Sequence, residues 1–176
     1  MAGADVLFAE HRDGVFRYLC RFIGQAETAR DLTQEVFLRV SRSGSPRAQA
    51  GVAAELGHRA WIFTIARNLA LNHVRDTQRR PATSGSDGLA DASRPATQEL
   101  AASLNQALAA LPDIDRDVFL LRETAGLRYD EIAATCGLSP DAVRSRLHRA
   151  RQQLREMLGR SIAEDQRHGI RLGRTP

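Results

Sequence analysis

Within eight residues, Thr135-Cys-Gly-Leu-Ser-Pro-Asp-Ala, one helix has to stop and another has to start. Gly137 suits the left-handed backbone that closes a helix. Ser139 is a good N-cap, and Pro140 falls at the first helical position, where its missing N–H is not needed. Ala133 is small where two helices must approach closely, and Leu138 and Val143 can pack the turn. Helices over Tyr129–Thr135 and Pro140–Leu158 therefore form a helix-turn-helix. Along the second helix Val143, Leu147, Ala150 and Leu154 share an inward face, which leaves Arg144, Ser145, Arg146, His148, Arg149 and Arg151 for solvent or DNA. In such a motif the second helix lies in the major groove. Arg144, Ser145 and Arg146 are placed to read base edges, and His148, Arg149 and Arg151 to hold phosphates. An ordinary helical hairpin with a basic face is the plainer reading. Turn chemistry, small residue, cap and charge all coincide here, and that favours the DNA-binding one.

The remaining patterning is also helical. Strand-forming aromatics are few, one Trp, two Tyr and six Phe, while Ala and Leu dominate. A helix is expected over residues 4–23, with Val6, Leu7, Val15, Leu19, Phe22 and Ile23 apolar and Gly24 ending it. A second runs over Glu27–Ser41 on the stripe Ala29, Leu32, Val36 and Val40. Residues 42–58, rich in Ser, Gly, Ala and Pro, read as a loop with room for one short helix. A third helix spans Ala60–Thr77. The stretch 78–96, QRRPATSGSDGLADASRPA, has linker composition. Beyond it come Glu99–Leu111, Ile114–Thr124 and then the helix-turn-helix. The expected fold is all-α: two small helical domains joined by a flexible linker, over residues 1–78, 79–96 and 97–160, with a frayed basic tail at 161–176. Blocks of this size have thin cores.

Charge is polarised. The chain of 176 residues carries a net +4, residues 59–80 and 139–160 each carry +4, and the remainder is therefore net negative. Two nucleic-acid faces and a separate acidic face fit that distribution. All 25 basic residues are Arg, which a GC-rich genome explains without reference to function. Cys20 and Cys136 have no ligand partners at metal spacing, so neither zinc nor a disulfide framework is expected. No leader-like or membrane-length apolar run is present, so a cytoplasmic protein is expected. No phosphate loop, carboxylate pair or nucleophile–base arrangement is visible. The expectation is a non-enzyme, with no catalytic residues, cofactor or metal.

Two further stripes carry information. Glu27, Asp31 and Glu35 recur every four residues, with Gln34 beside them. This acidic edge suits a basic helical partner. Asn68, Asn72, Arg75 and Arg79 fall on one face of the third helix, flanked by Arg67. Cations along a backbone and amides that read an extruded base are what holding an unstacked strand requires.

The helix-turn-helix, preceded by Leu108-Ala-Ala-Leu-Pro-Asp-Ile-Asp-Arg-Asp-Val-Phe-Leu-Leu-Arg, resembles region 4 of the extracytoplasmic function (ECF) sigma factors. Asp31-Leu-Thr-Gln-Glu-Val-Phe-Leu-Arg-Val and Trp61-Ile-Phe-Thr-Ile-Ala-Arg-Asn-Leu-Ala-Leu-Asn resemble their region 2. The resemblance implies a factor that binds core RNA polymerase and directs promoter-specific initiation. The first block would meet the −10 element and the second the −35 element. It implies a core-polymerase role for Asp31, Gln34 and Glu35, docking on the clamp coiled coil. It puts Trp61, Ile62, Phe63, Arg67, Asn68, Asn72 and Arg75 at the −10 DNA, with Asn68 reading the base and Trp61 either core or wedge. It also implies an anti-sigma factor as a partner, which in similar proteins is often at the membrane. The stretch Ser43–His58 is longer than the family's, and Val40-Ser41 stands where an aromatic residue is common. A stand-alone helix-turn-helix regulator is the alternative, but it leaves the first-block motifs without a role.

Overall fold

The structure, a computed structural model, describes residues 4–43, 57–79 and 95–172. Among these residues every regular element is a helix: α1 (Ala4–Ile23), α2 (Ala26–Ser43), α3 (His58–Arg79), α4 (Pro95–Ala109), α5 (Asp113–Glu123), α6 (Tyr129–Cys136) and α7 (Pro140–Leu172). The expected loop over 42–58 and the linker over 78–96 lie mainly outside the described residues.

Each helix of the first block forms around an apolar stripe of helical period. In α1 it is Leu7, His11, Val15, Tyr18, Leu19 and Phe22, all buried. Val6, expected among the apolar positions, is instead 56% exposed, because Leu7 and His11 take the inward positions four apart. Gly24, at φ 80, ends the helix, and its N–H reaches the Cys20 carbonyl at 2.9 Å. In α2 the buried residues are Ala29, Thr33, Val36, Phe37 and Val40. Thr33 is a polar residue on that stripe, and it is satisfied by donating its hydroxyl to the Ala29 carbonyl at 2.6 Å. The α3 helix packs across both partners, with Phe63 edge-on to Tyr18 at 5.7 Å.

In the second block Leu108, Leu111, Val118, Leu121, Leu127, Ile132, Val143, Leu147 and Leu154 close a small core among α4–α7. The last helix continues through Gly159 to Leu172 rather than stopping near Leu158. No proline lies between Pro140 and Pro176 to stop it.

The two blocks are not separate bodies. One continuous cluster of buried side chains runs through both. The α1 helix packs against α4 and α5, and α3 packs against α6. Thin separate cores were expected, yet each block here covers part of the other's apolar surface.

Candidate nucleic-acid interface

The turn between α6 and α7 is built as its residues require. Gly137 sits at φ 67, ψ 37. The next N–H, of Leu138, bonds the Ala133 carbonyl at 2.9 Å, which closes α6. Ser139 Oγ accepts from the Ala142 N–H at 3.2 Å and caps α7. At the other end of α6, the Arg128 N–H donates to Glu131 at 2.8 Å. Val143, Leu147 and Ala150 are fully or almost fully buried, so the rotation of α7 about its axis is fixed.

That rotation leaves Arg144, Ser145, His148 and Arg149 exposed. Arg144 pairs with the exposed Asp141, at 2.7 Å. Such a pair is weak and easily exchanged for a phosphate or a base. Arg146 is different. It donates to Asp115 at 2.7 Å, with its side chain 28% exposed against 5% for the carboxylate. Arg149 reaches the other oxygen of Asp115 at 3.6 Å. Arg151 bonds Glu123 at 2.7 Å.

On α3, Asn68, Asn72, Arg75 and Arg79 are all exposed, so the predicted stripe is a real surface. Arg67 lies off that surface. It donates to the carboxylate of Asp117 and lies 3.4 Å from the Thr135 carbonyl. Trp61, Ile62 and Phe63 are at most 2% exposed. The run Ala60–Phe63 is apolar on consecutive positions and buried throughout, and α3 packs against both α1 and α2. Trp61, which the sequence left between core and DNA, is core in this structure, and Ile62 and Phe63 are core with it.

The acidic edge of α2 is also a surface. Glu27, Asp31 and Gln34 are exposed, and Glu35 pairs with Arg39 one turn on at 2.8 Å. Leu38, 51% exposed, continues the same face.

The sequence did not point to the seam between the blocks. Asp115 and Asp117 are 3% and 1% exposed. Tyr18 donates its hydroxyl to Asp117 at 2.7 Å, and the Cys136 thiol lies 3.9 Å from the same carboxylate. Burial, and then the Asp117 charge, hold Tyr18 well above its ordinary range. The same two causes push Cys136 up to about 12. Both therefore stay protonated, and Arg67 supplies the charge that balances Asp117. Around this centre Thr64 and Thr135 hydroxyls meet at 3.2 Å. Arg21 donates to Asn105 at 2.6 Å, and Arg116 stacks over the Phe22 ring at 4.9 Å. One sign was available: Asp117 interrupts the apolar stripe of Ile114, Val118 and Leu121. Among the described residues there is no group of His, Cys, Asp and Glu able to hold a metal ion. No described helix is long and apolar enough to cross a membrane.

Comparison with known proteins covers both halves in order. Residues 7–80 match the family model described as Sigma-70 region 2, and residues 101–154 match Sigma-70, region 4. The chain is 37% identical to the ECF RNA polymerase sigma factor SigE of Mycolicibacterium smegmatis over 93% of its own length, and it spans 65% of that relative. It is 31% identical to the RNA polymerase sigma factor YlaC of Bacillus subtilis, covering 90% of this chain and 94% of the relative. Among solved structures its fold is similar to that of the sigma factor RpoE from Bartonella quintana, crystallised with the anti-sigma factor NepR. That likeness has TM-score 0.67 at 23% identity, covering 86% of this chain and 94% of the other.

Proposed function

The chain belongs to the extracytoplasmic function group of sigma-70 RNA polymerase sigma factors, and from that premise we propose how its surfaces divide the work of initiation. The factor binds core RNA polymerase and directs it to promoters. The exposed acidic edge of α2, with Asp31, Gln34 and Glu35, docks on a basic helical element of core polymerase. The exposed stripe Asn68, Asn72 and Arg75 on α3 meets the −10 element, with Asn68 reading an extruded base. Arg144, Ser145, His148 and Arg149 on α7 meet the −35 element, the first two at base edges and the others at phosphates. Trp61, Ile62 and Phe63 act from beneath, holding α3 at the angle that presents the stripe. Catalysis belongs to the polymerase. The two region models matched in order on one chain carry this reading, because a stand-alone regulator has no use for the first half.

Regulation belongs to the same reading. A similar fold has been solved with an anti-sigma factor bound, and we extend that kind of partner to this chain, which would remain in the cytoplasm or at the membrane according to where the inhibitor sits.

Purified chain mixed with core polymerase is expected to form a complex and to yield run-off transcript from a cognate promoter. Asp31→Arg, at an exposed position, is expected to weaken core binding at least tenfold while leaving the circular dichroism spectrum unchanged. A folded wild-type chain that does not bind core would overturn the proposal.

A further inference from the structure

Given the sigma-factor reading above, we propose that the free chain is self-inhibited: two buried aspartates on α5, Asp115 and Asp117, stand in for DNA phosphate and occupy arginines from both halves. Residues two apart on a helix do not face the same way. Here that divergence is used. Asp117 is directed at α3 and takes Arg67. Asp115 is directed at α7, where it takes Arg146 at 2.7 Å and draws Arg149 to 3.6 Å. A single short step of α5 thus commits one cation of the −10 half and one of the −35 half, and draws on Arg149, which stays 55% exposed.

The chemistry of the mimicry is direct. A guanidinium is a fork of N–H donors that donates to carboxylate or phosphate oxygens in the same geometry. Arg67, only 14% exposed in its pair with Asp117, cannot reach a DNA backbone until that pair parts. Asp117 in turn cannot be left bare, because a buried unpaired carboxylate is strongly destabilising. The closed state therefore holds until another anion takes the arginine and the seam rehydrates.

The rest of the seam suits a contact that opens. Beside its apolar contacts it carries polar pairs: Tyr18 with Asp117, Thr64 with Thr135 and Arg21 with Asn105. Each of these groups can exchange its partner for water at small net cost. Arg146 also keeps a buried Nε with no acceptor among the described residues, so its closed-state bonding is incomplete.

Two variants test the device in the full chain. The first is Asp115→Asn with Asp117→Asn, which keeps shape and removes both charges. Its probe is a short DNA duplex of arbitrary sequence, because the phosphate contribution does not depend on sequence. Fluorescence anisotropy should show binding about tenfold tighter than wild type at about 0.1 M salt, with a steeper salt dependence as more phosphates are neutralised. Small-angle scattering should show a larger radius of gyration. A folded variant that binds no tighter overturns the proposal.

The second variant guards against misfolding of the first. Thr64→Cys with Thr135→Cys, made with Cys20→Ser and Cys136→Ser, allows the seam to be locked by a disulfide. The oxidised form should lose duplex binding and run-off transcription, and reduction should restore both. Equal activity of oxidised and reduced protein overturns the latch. A reduced protein that fails to bind core polymerase overturns the sigma-factor reading instead, and the oxidised-to-reduced ratio of duplex binding still decides the latch.

Discussion

Arg144 and Arg146 stand two positions apart on α7 and are held in different ways. Arg144 leans on an exposed aspartate in its own helix, while Arg146 is drawn inward by a carboxylate that is almost fully buried. Arg144→Ala is expected to weaken binding to the cognate −35 element by roughly 1–3 kcal/mol and to relax preference at one base pair. Selection of binding sites from a random pool would read this out, and an unchanged profile would reduce Arg144 to a phosphate contact. The difference between the two arginines was only half legible. Helical spacing puts both on the polar face, and Arg144 is exposed there as that spacing implies. Spacing cannot show that Asp115, in another helix 31 positions earlier, waits beside Arg146. Asp117 was hidden for the same reason, since its partners Tyr18 and Arg67 lie 99 and 50 positions away.

Elements were more readable than residues because their causes are local. Gly24 and Gly137 both adopt positive φ and both end helices where expected. Stripes of period 3.6 set the faces of α1, α2 and α7. The α7 helix runs past its expected stop, because a single glycine such as Gly159 costs a helix only about 1 kcal/mol relative to alanine and does not oblige it to end. Gly137 is a different case. A Cβ there would meet nothing within 4 Å, so the penalty comes from backbone alone, at φ +67. Gly137→Ala is expected to destabilise the fold by about 1–2 kcal/mol. Chemical denaturation should show this as a lower midpoint at constant slope. A variant as stable as wild type would mean that the turn relaxes to another conformation and that α7 is less firmly aimed than its caps suggest.

At the scale of the whole molecule, the seam also has an acid-sensitive rim. His11 is 7% exposed and lines a cleft between the blocks together with Glu10, His58, Arg59, Arg128 and Glu131. Burial holds its pKa below the ordinary value; Glu10 opposes this, and Arg59 and His58 add to it. An unfolded chain therefore takes up the proton first as pH falls. The stability contributed by neutral His11 is present above about pH 6.5 and is lost as pH drops below that value toward the folded pKa. Thermal melts at about pH 7.5 and about pH 5.5 should show a larger loss of Tm for wild type than for His11→Gln. Equal losses would place the acid sensitivity elsewhere. Composition marks the two small helical domains and the linker between them, but not the faces that meet beyond it. Those faces constrain inheritance. Tyr18, Arg67 and Asp117 share one buried charge balance, so a lineage that replaces one must replace the others or tolerate an orphaned ion. Across relatives that keep this closure the three positions should covary. A chimera joining residues 1–79 to the second half of a relative with a different residue at position 117 should express as two healthy halves that no longer recognise each other.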